Sequence, residues 1–226
     1  MCYSVESSAK TTIISLVAII LLLTSNVPHF QWLGVVLIGW CGMQFDELLL
    51  WLTNPRKGCT TANKLITMTL VPFVLSLNVL GPVLGSFFVK SWTDCSQTRK
   101  WFIIIYSIAS TLILLIYFYG NPTKYCTTVT AEGHLDWWVS EWPVFGTKRI
   151  LATTLWTIII IIPFIVLWNI SYKAVVAILI LPMLGYYLGF TTDANASIWC
   201  HYASFTSVAS LIMYGLYKFK IYNILQ

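Results

Sequence analysis

Apolar residues along this chain fall into long uninterrupted blocks, without the period-two alternation of a half-buried strand. Seven blocks approach or reach membrane-spanning length, at 11–27, 30–53, 65–89, 101–119, 150–168, 172–190 and 197–217. A helix needs about 20 residues to cross the hydrocarbon core. In lipid every backbone N–H and C=O must be satisfied by protein, so such blocks are helices rather than buried strands. The breaks carry turn chemistry or charge: Asn26 to Pro28, Asn54-Pro55-Arg56-Lys57, Lys90 to Lys100, Gly120-Asn121-Pro122, Asn169 to Tyr172 and Thr191 to Ser197. The pattern predicts an all-α polytopic membrane protein, a seven-transmembrane-helix bundle formed as a single domain over 1–226. The first block reads as a retained helix: Cys2 to Lys10 is no strongly basic leader, and no A-x-A cleavage site follows.

The 120–149 loop departs from the pattern. In "GHLDWWVSEWPVF", Leu135, Trp138, Val139 and Trp142 follow i, i+3, i+4, i+7, while Asp136, Ser140 and Glu141 take the other face. This predicts a short amphipathic interfacial helix ending at Pro143, with its Trp residues at headgroup level. It serves either as an anchor packed on the bundle or as a lid that carries His134.

Composition adds the solvent. With 58% hydrophobic and 9% charged residues, the principal partner is the lipid bilayer, and no feature reads as a nucleic-acid interface. Seven spans put the N-terminus and the 54–64, 120–149 and 191–196 loops on one side, side one. Side one carries Lys10, Arg56, Lys57, Lys64, Lys124, Lys148 and Arg149; side two carries Lys90, Arg99, Lys100, Lys173, Lys218 and Lys220. By the positive-inside rule that balance favours neither orientation, and it leaves the membrane unspecified. The sequons at Asn169 and Asn195 fall on opposite sides. Gly81-x-x-x-Gly85 and Gly185-x-x-x-Gly189 predict close helix contacts, within one bundle or between protomers of a homo-oligomer. Pro72, Pro163 and Pro182 predict kinks.

Candidate chemistry starts in the second block, at "GWCGMQFDELLLWLTNPRK". Gln44, Glu47 and Trp51 share a helix face, and Asp46 points roughly 100° away from Glu47. Counting back from Asn54 puts Glu47 about 10 Å inside the side-one boundary. An ionised carboxylate there costs a few kcal/mol unless paired, protonated or wetted; the alternative is a protonated Glu bonded to Gln44 or to a neighbouring helix. His201 enters from side one at nearly the same depth, as a partner for Glu47 or as a packing residue. Asn78, Thr67 and Thr69 could extend a polar path toward the midplane. Zinc held by Glu47, His134 and His201 is chemically admissible, since two imidazoles and a carboxylate leave a water position, but no local ligand spacing supports it. Cys59 and Cys126 lie on one side and could form a disulfide in an oxidising compartment; free thiols, or an acylated Cys2, are the alternative. Cys41 and Cys200 read as small core residues.

"MCYS" at the start, the Gln44-x-x-Glu47-x-x-x-Trp51 spacing, "GHLDW" after a cysteine in the long loop and "SIWC" opening the seventh block resemble an uncharacterised family. Its members are small multi-pass membrane proteins of bacteria, protists and large DNA viruses that typically begin Met-Cys-Phe-Ser. The resemblance implies that Cys2, Gln44, Glu47, Trp51, His134, Trp199 and Cys200 form a motif set, mostly on side one, and it implies no activity. Tyr3 departs from the usual Phe, and His201 stands where an aromatic residue is common. Other seven-helix families fit poorly. A microbial rhodopsin needs a lysine within the seventh helix, whereas Lys218 and Lys220 come only at its end, which disfavours retinal. No Asp-Arg-Tyr follows the third block and no Asn-Pro-x-x-Tyr lies in the seventh, as G-protein-coupled receptors require. Ceramidase-like and adiponectin-receptor-like hydrolases use a pair of histidines in the last helix, where this chain has one.

The sequence therefore points to binding or conduction of a small polar solute or cation, at Gln44, Glu47, Trp51, His134 and His201. A membrane-embedded metal-dependent hydrolase of a lipid or amide is the runner-up, and a structural protein of a membrane or viral envelope is the third reading.

Overall fold

The computed structural model describes residues 4–87, 93, 95–120, 122–131, 133–137, 159, 162 and 195–219, with side chains in the last helix from residue 205 onward. The described chain is mostly helical. Four helices are long and apolar enough to cross a membrane: α1 (Val5–Leu23), α2 (Pro28–Leu52), α3 (Thr61–Ser86) and α4 (Gln97–Tyr119). A further helix, α5 (Asn195–Lys218), packs in the same bundle. The expected blocks at 150–168 and 172–190 lie almost wholly outside the described residues.

Helix starts come earlier than hydropathy suggests, because capping chemistry sets them. Ser4 accepts a hydrogen bond from the Ser7 N–H, Thr60 from the Asn63 N–H, and Ser96 from the Arg99 N–H, so each helix begins in polar sequence before its apolar run. Pro28 occupies the first turn of α2, where its missing N–H costs nothing. After α2 the chain reverses through Asn54, whose φ of 55° is left-handed, a conformation Asn tolerates better than most residues.

α2 is the central helix, packed by α1, α3 and α5. Contacts at several levels fix an antiparallel register. Gly34 of α2 meets Leu23 of α1, and Thr11 of α1 bonds Gln44. Gly39 and Gly42 meet Leu77 and Val74 of α3, while Gly81 and Gly85 of α3 face Val36 and Trp32. The Gly81-x-x-x-Gly85 pair thus serves contact within this bundle. At Gly39 the approach is backbone to backbone: a Cβ there would lie 2.6 Å from the Leu77 carbonyl carbon. On α5, Ser207 lies against Cys41, and Tyr214 and Tyr217 lie edge-on to Phe30.

At Pro72, where a kink was expected, the structure shows a change of hydrogen-bond pattern. Its missing N–H would have bonded the Met68 carbonyl in a regular α-helix, and residues Ile66–Leu70 instead form a π turn. The Tyr119 hydroxyl, at the end of α4, donates to that Met68 carbonyl.

The 120–149 loop requires a correction. Leu135–Asp136 is not the start of an amphipathic helix but a strand, β2, paired antiparallel with β1 (Thr128–Val129). The turn decides this. Gly133 sits at φ 85°, the Thr130 N–H donates to the His134 carbonyl at 2.8 Å, and the Gly133 N–H donates to the Thr130 carbonyl at 3.0 Å. A left-handed glycine closing a hairpin outweighs an i, i+3, i+4 pattern. Trp138, Val139 and Trp142 lie outside the described residues.

Candidate functional site

Apolar helices ordinarily bury apolar faces, yet α1 turns Ser8, Thr12, Ser15, Ala18 and Leu22 inward. Their spacing of four, three, three and four residues is one helix face. Half of that face, toward the N-terminus, is hydroxyl-bearing, and it meets the part of α2 that holds Gln44, Asp46 and Glu47. All three of these side chains are completely buried. The Thr11 hydroxyl donates to Gln44 Oε1 at 2.9 Å.

The helical spacing sets Asp46 on a different face from Glu47, but that separation does not bring it to lipid: although Ile38 and Phe45 of α2 are exposed, Asp46 follows Gly39 and Gly42 on the face that meets α3, so both carboxylates are interior. Among the described residues, neither Asp46 carboxylate oxygen has a hydrogen-bond partner. The same holds for the buried Ser8 Oγ, Thr12 Oγ1, Asn78 Oδ1 and Thr206 Oγ1. Buried polar groups without partners are rare in proteins.

One layer further in, Cys41 Sγ lies 2.9 Å from Ser207 Oγ, which donates to Ser15 Oγ at 3.1 Å. Cys41 is buried, in keeping with a small core residue. Asn78 is level with Gly39 and donates only to the Val74 carbonyl of its own helix, at 3.3 Å. Beyond it the interior becomes apolar, with Leu22, Leu33, Val36, Leu37 and Phe30.

The polar path anticipated through Thr67 and Thr69 takes another form. Thr69 is exposed and bonds the Leu65 carbonyl. Thr67 belongs to a buried clamp. Asn63 Nδ2 donates to the Thr127 carbonyl at 3.1 Å, the Thr127 N–H donates to Asn63 Oδ1 at 2.8 Å, and Thr67 Oγ1 lies 2.8 Å from Thr127 Oγ1. Beside the clamp Cys59 and Cys126 form a disulfide, with Cα atoms 5.7 Å apart. Clamp and disulfide pin the hairpin to the end of α3. From there Leu135 and Trp137 bury themselves in the main core, together with Leu50 and Trp51. Lys124 Nζ pairs with Asp136 Oδ2 and fixes the outer edge.

The remaining candidates are distributed around this end. Trp51 is buried beneath the Arg56 guanidinium, 5.9 Å from the ring centre. His134 is buried in the hairpin, its N–H donating to Thr130 Oγ1 at 3.3 Å. His201 is helical, but its side chain lies outside the described residues, as do those of Trp199 and Cys200; Cys2 lies outside them altogether. Among the described residues no three His, Cys, Asp or Glu side chains gather closely enough to hold a metal ion. A cavity of about 400 Å³ at this end is lined by Pro55, Arg56, residues 128–131 and Gly133. It is separate from the buried acidic layer, since it contains none of those side chains.

Sequence reasoning set Asp46 on another face without predicting its burial, and it missed the inward Ser8-Thr12-Ser15 stripe and the Asn63 clamp. Only the stripe left a readable signal, as hydroxyls recurring at helical spacing within an apolar block. Comparison with protein-family models, curated proteins and solved structures finds no match to this chain, so its chemistry rests on these residues alone.

Proposed function

We propose that this chain is a seven-span membrane protein whose buried acidic layer on α2 binds, and passes on, a small polar solute or cation reaching it from the hairpin end. The observation that carries the reading is the complete burial of Asp46 and Glu47 in a membrane-length helix, with both Asp46 oxygens lacking a partner among the described residues. An uncompensated carboxylate inside a membrane is costly and is ordinarily kept for function.

Parity supports the span count. The hairpin follows α4 at the end where α2 finishes, and α5 starts at that same end, because Ser207 is level with Cys41 and Tyr214 with Phe30. The sequence between them holds two apolar blocks, at 150–168 and 172–190, a number that fits this parity. Register also supports His201 as a neighbour of the layer. It lies six residues before Ser207, and Glu47 lies six residues after Cys41, so both are about 9 Å toward the hairpin end on antiparallel helices. Gln44, Glu47, Trp51 and His134, four motif residues of the resembled multi-pass family, fall at this end, and membership of that family is part of the proposal.

The test is ligand flux or binding in proteoliposomes with Glu47→Gln, which keeps shape and removes charge. Loss of the response with the fold retained is the expected result. An unchanged response sinks the site; a wild type inert to every polar solute and cation tried favours a structural envelope role; stoichiometric bound zinc in purified protein favours the hydrolase.

A further inference from the structure

The acidic layer makes no use of the cavity of about 400 Å³ at the hairpin end. Four consecutive residues, Thr128 to Ala131, line it, whereas the face of a strand would present only every second one. The cavity therefore follows the free edge of β1. Pairing along the hairpin says which groups that edge offers. The Thr130 N–H donates to the His134 carbonyl, so these two are a hydrogen-bonded pair, and the neighbouring pair, Val129 and Leu135, is of the other kind. The N–H and carbonyl of Val129 thus point away from β2, along the edge where the Pro55–Lys57 turn packs on β1. The Cys126 disulfide and the Thr127 clamp come immediately before β1 and hold this edge in place before anything binds.

Arg56 supplies the charge of the lining. Its guanidinium, 5.9 Å from the centre of the buried Trp51 ring, is positioned by that contact although the side chain is exposed. Among the described residues Arg56 has no carboxylate within ion-pair distance, because Asp136 is taken by Lys124 and Glu6 by Lys10. Lys57 follows it, and Lys64 of α3 lies over the Tyr125 ring at the same end. This face is left with an excess of positive charge.

Depth selects the source of an anion. Ile38, Phe45 and Leu52 recur at seven-residue intervals as an exposed apolar stripe of α2, and Arg56 comes four residues past the last of them. Leu65 and Phe73 are exposed in the same way on α3. The cavity lies just beyond the lipid-facing surface, at headgroup level, where aromatic rings and cations collect.

We propose that this cavity takes the phosphate of an anionic phospholipid headgroup. The planar Arg56 guanidinium meets the phosphate oxygens as a fork, the Val129 N–H donates to the same group, and the Val129 carbonyl accepts from a headgroup hydroxyl. The site is independent of the acidic layer and of any solute bound there.

The experiment is thermal unfolding of the full-length protein in neutral detergent, titrated with dioctanoyl phosphatidylglycerol, dioctanoyl phosphatidylcholine or inorganic phosphate. A ligand that binds the folded state raises the melting temperature as its concentration rises. The expected result is a saturable rise with phosphatidylglycerol and little with the other two. Arg56→Gln should weaken that response about tenfold, the loss of one charge-assisted pair. Ala131→Trp, which fills the cavity and leaves every charge in place, should weaken it as much. Lys64→Gln, at the same end but outside the lining, should bind as the wild type does. Glu132→Gln, which removes the acid adjoining the lining in sequence, should bind at least as well as the wild type. Retained Cys59–Cys126 bonding on a non-reducing gel and a lipid-free melting temperature near that of the wild type are the folding controls. An equal rise with inorganic phosphate overturns the lipid source and leaves a phosphate site; an equal rise with phosphatidylcholine overturns the selection for an anion. Equal losses from Lys64→Gln and Arg56→Gln overturn the cavity in favour of diffuse surface charge. A response unchanged in Arg56→Gln and Ala131→Trp, or absent for every probe, removes the site, and either result is distinguishable from failure of the acidic layer, which is read by flux or solute binding in Glu47→Gln.

Discussion

The two halves of this bundle are built from the same helices and are used differently. Toward the Pro28 end, α2 buries Phe30, Trp32, Leu33, Val36 and Leu37, and its one interior polar atom of note, Trp32 Nε1, donates to the Pro82 carbonyl at 3.0 Å. Toward the hairpin end the same helix buries Gln44, Asp46 and Glu47 among hydroxyls. In lipid the hydrophobic effect does not distinguish one apolar interior from another, so the first half coheres by close packing. The second half buries polar side chains beside its apolar contacts, and it carries an additional fastening. The disulfide and the Asn63 clamp supply it at that end. Cohesion and chemistry are thus separated along the helix axis rather than around it.

Gly39 stands at the boundary, and Gly39→Val is the most damaging change expected. Its side chain would meet the Leu77 backbone, which cannot swing aside as a side chain can, so about 3 kcal/mol or more of stability is lost. Thermal unfolding in detergent measures this; a stable variant would mean that α2 and α3 separate more easily than their contact suggests. Asn63→Ala comes next. It leaves the buried carbonyl of Thr127 without Asn63 Nδ2, and its N–H with Thr67 Oγ1 alone, at a cost of about 1–3 kcal/mol, and limited proteolysis should cut near residue 130 sooner. Damage spread to the Phe30 end would blur the division.

Smaller in energy, but decisive for function, are Glu47→Gln and Asp46→Asn. Each should weaken binding at least tenfold, about 1.4 kcal/mol, with melting temperature held within a few degrees. Similar losses from the two are expected, because both carboxylates are interior; sensitivity of Glu47 alone would restore the single-face picture. Trp32→Phe closes the series. It removes one hydrogen bond in the packing half, costing about 1 kcal/mol, and should leave binding unaltered. An altered affinity would show that the halves are coupled.

The spans were legible because hydropathy is a property of the block itself. The four qualifying helices overlap their expected ranges, displaced toward their capping residues Ser4, Thr60 and Ser96 and the proline at position 28. The burial of Gln44 and Glu47 could be anticipated from their shared face. That of Asp46 could not, because a helical wheel gives directions and says nothing of how many neighbours surround the helix. The hairpin was hidden for another reason: Leu135 and Trp138 satisfy a helical template by spacing alone, whereas the fold was chosen by one left-handed glycine and by Asn63, more than sixty residues away, taking both backbone groups of Thr127.

Pro72 gives the bundle a mechanical property that none of these contacts has. By deleting the donor for the Met68 carbonyl it removes one rung of α3's own ladder, and the replacement comes from Tyr119, on a different helix. That carbonyl is therefore tied from outside α3, to the last turn of α4. Should α4 slide along its axis by one residue, about 1.5 Å, the tether lengthens past hydrogen-bonding range and that oxygen loses its donor from the neighbouring helix. α3 carries Asn78 on one side of the π turn and the Asn63 clamp on the other, so the position of α4 is registered at the one irregular turn that joins the closely packed stretch of α3 to the hairpin it holds.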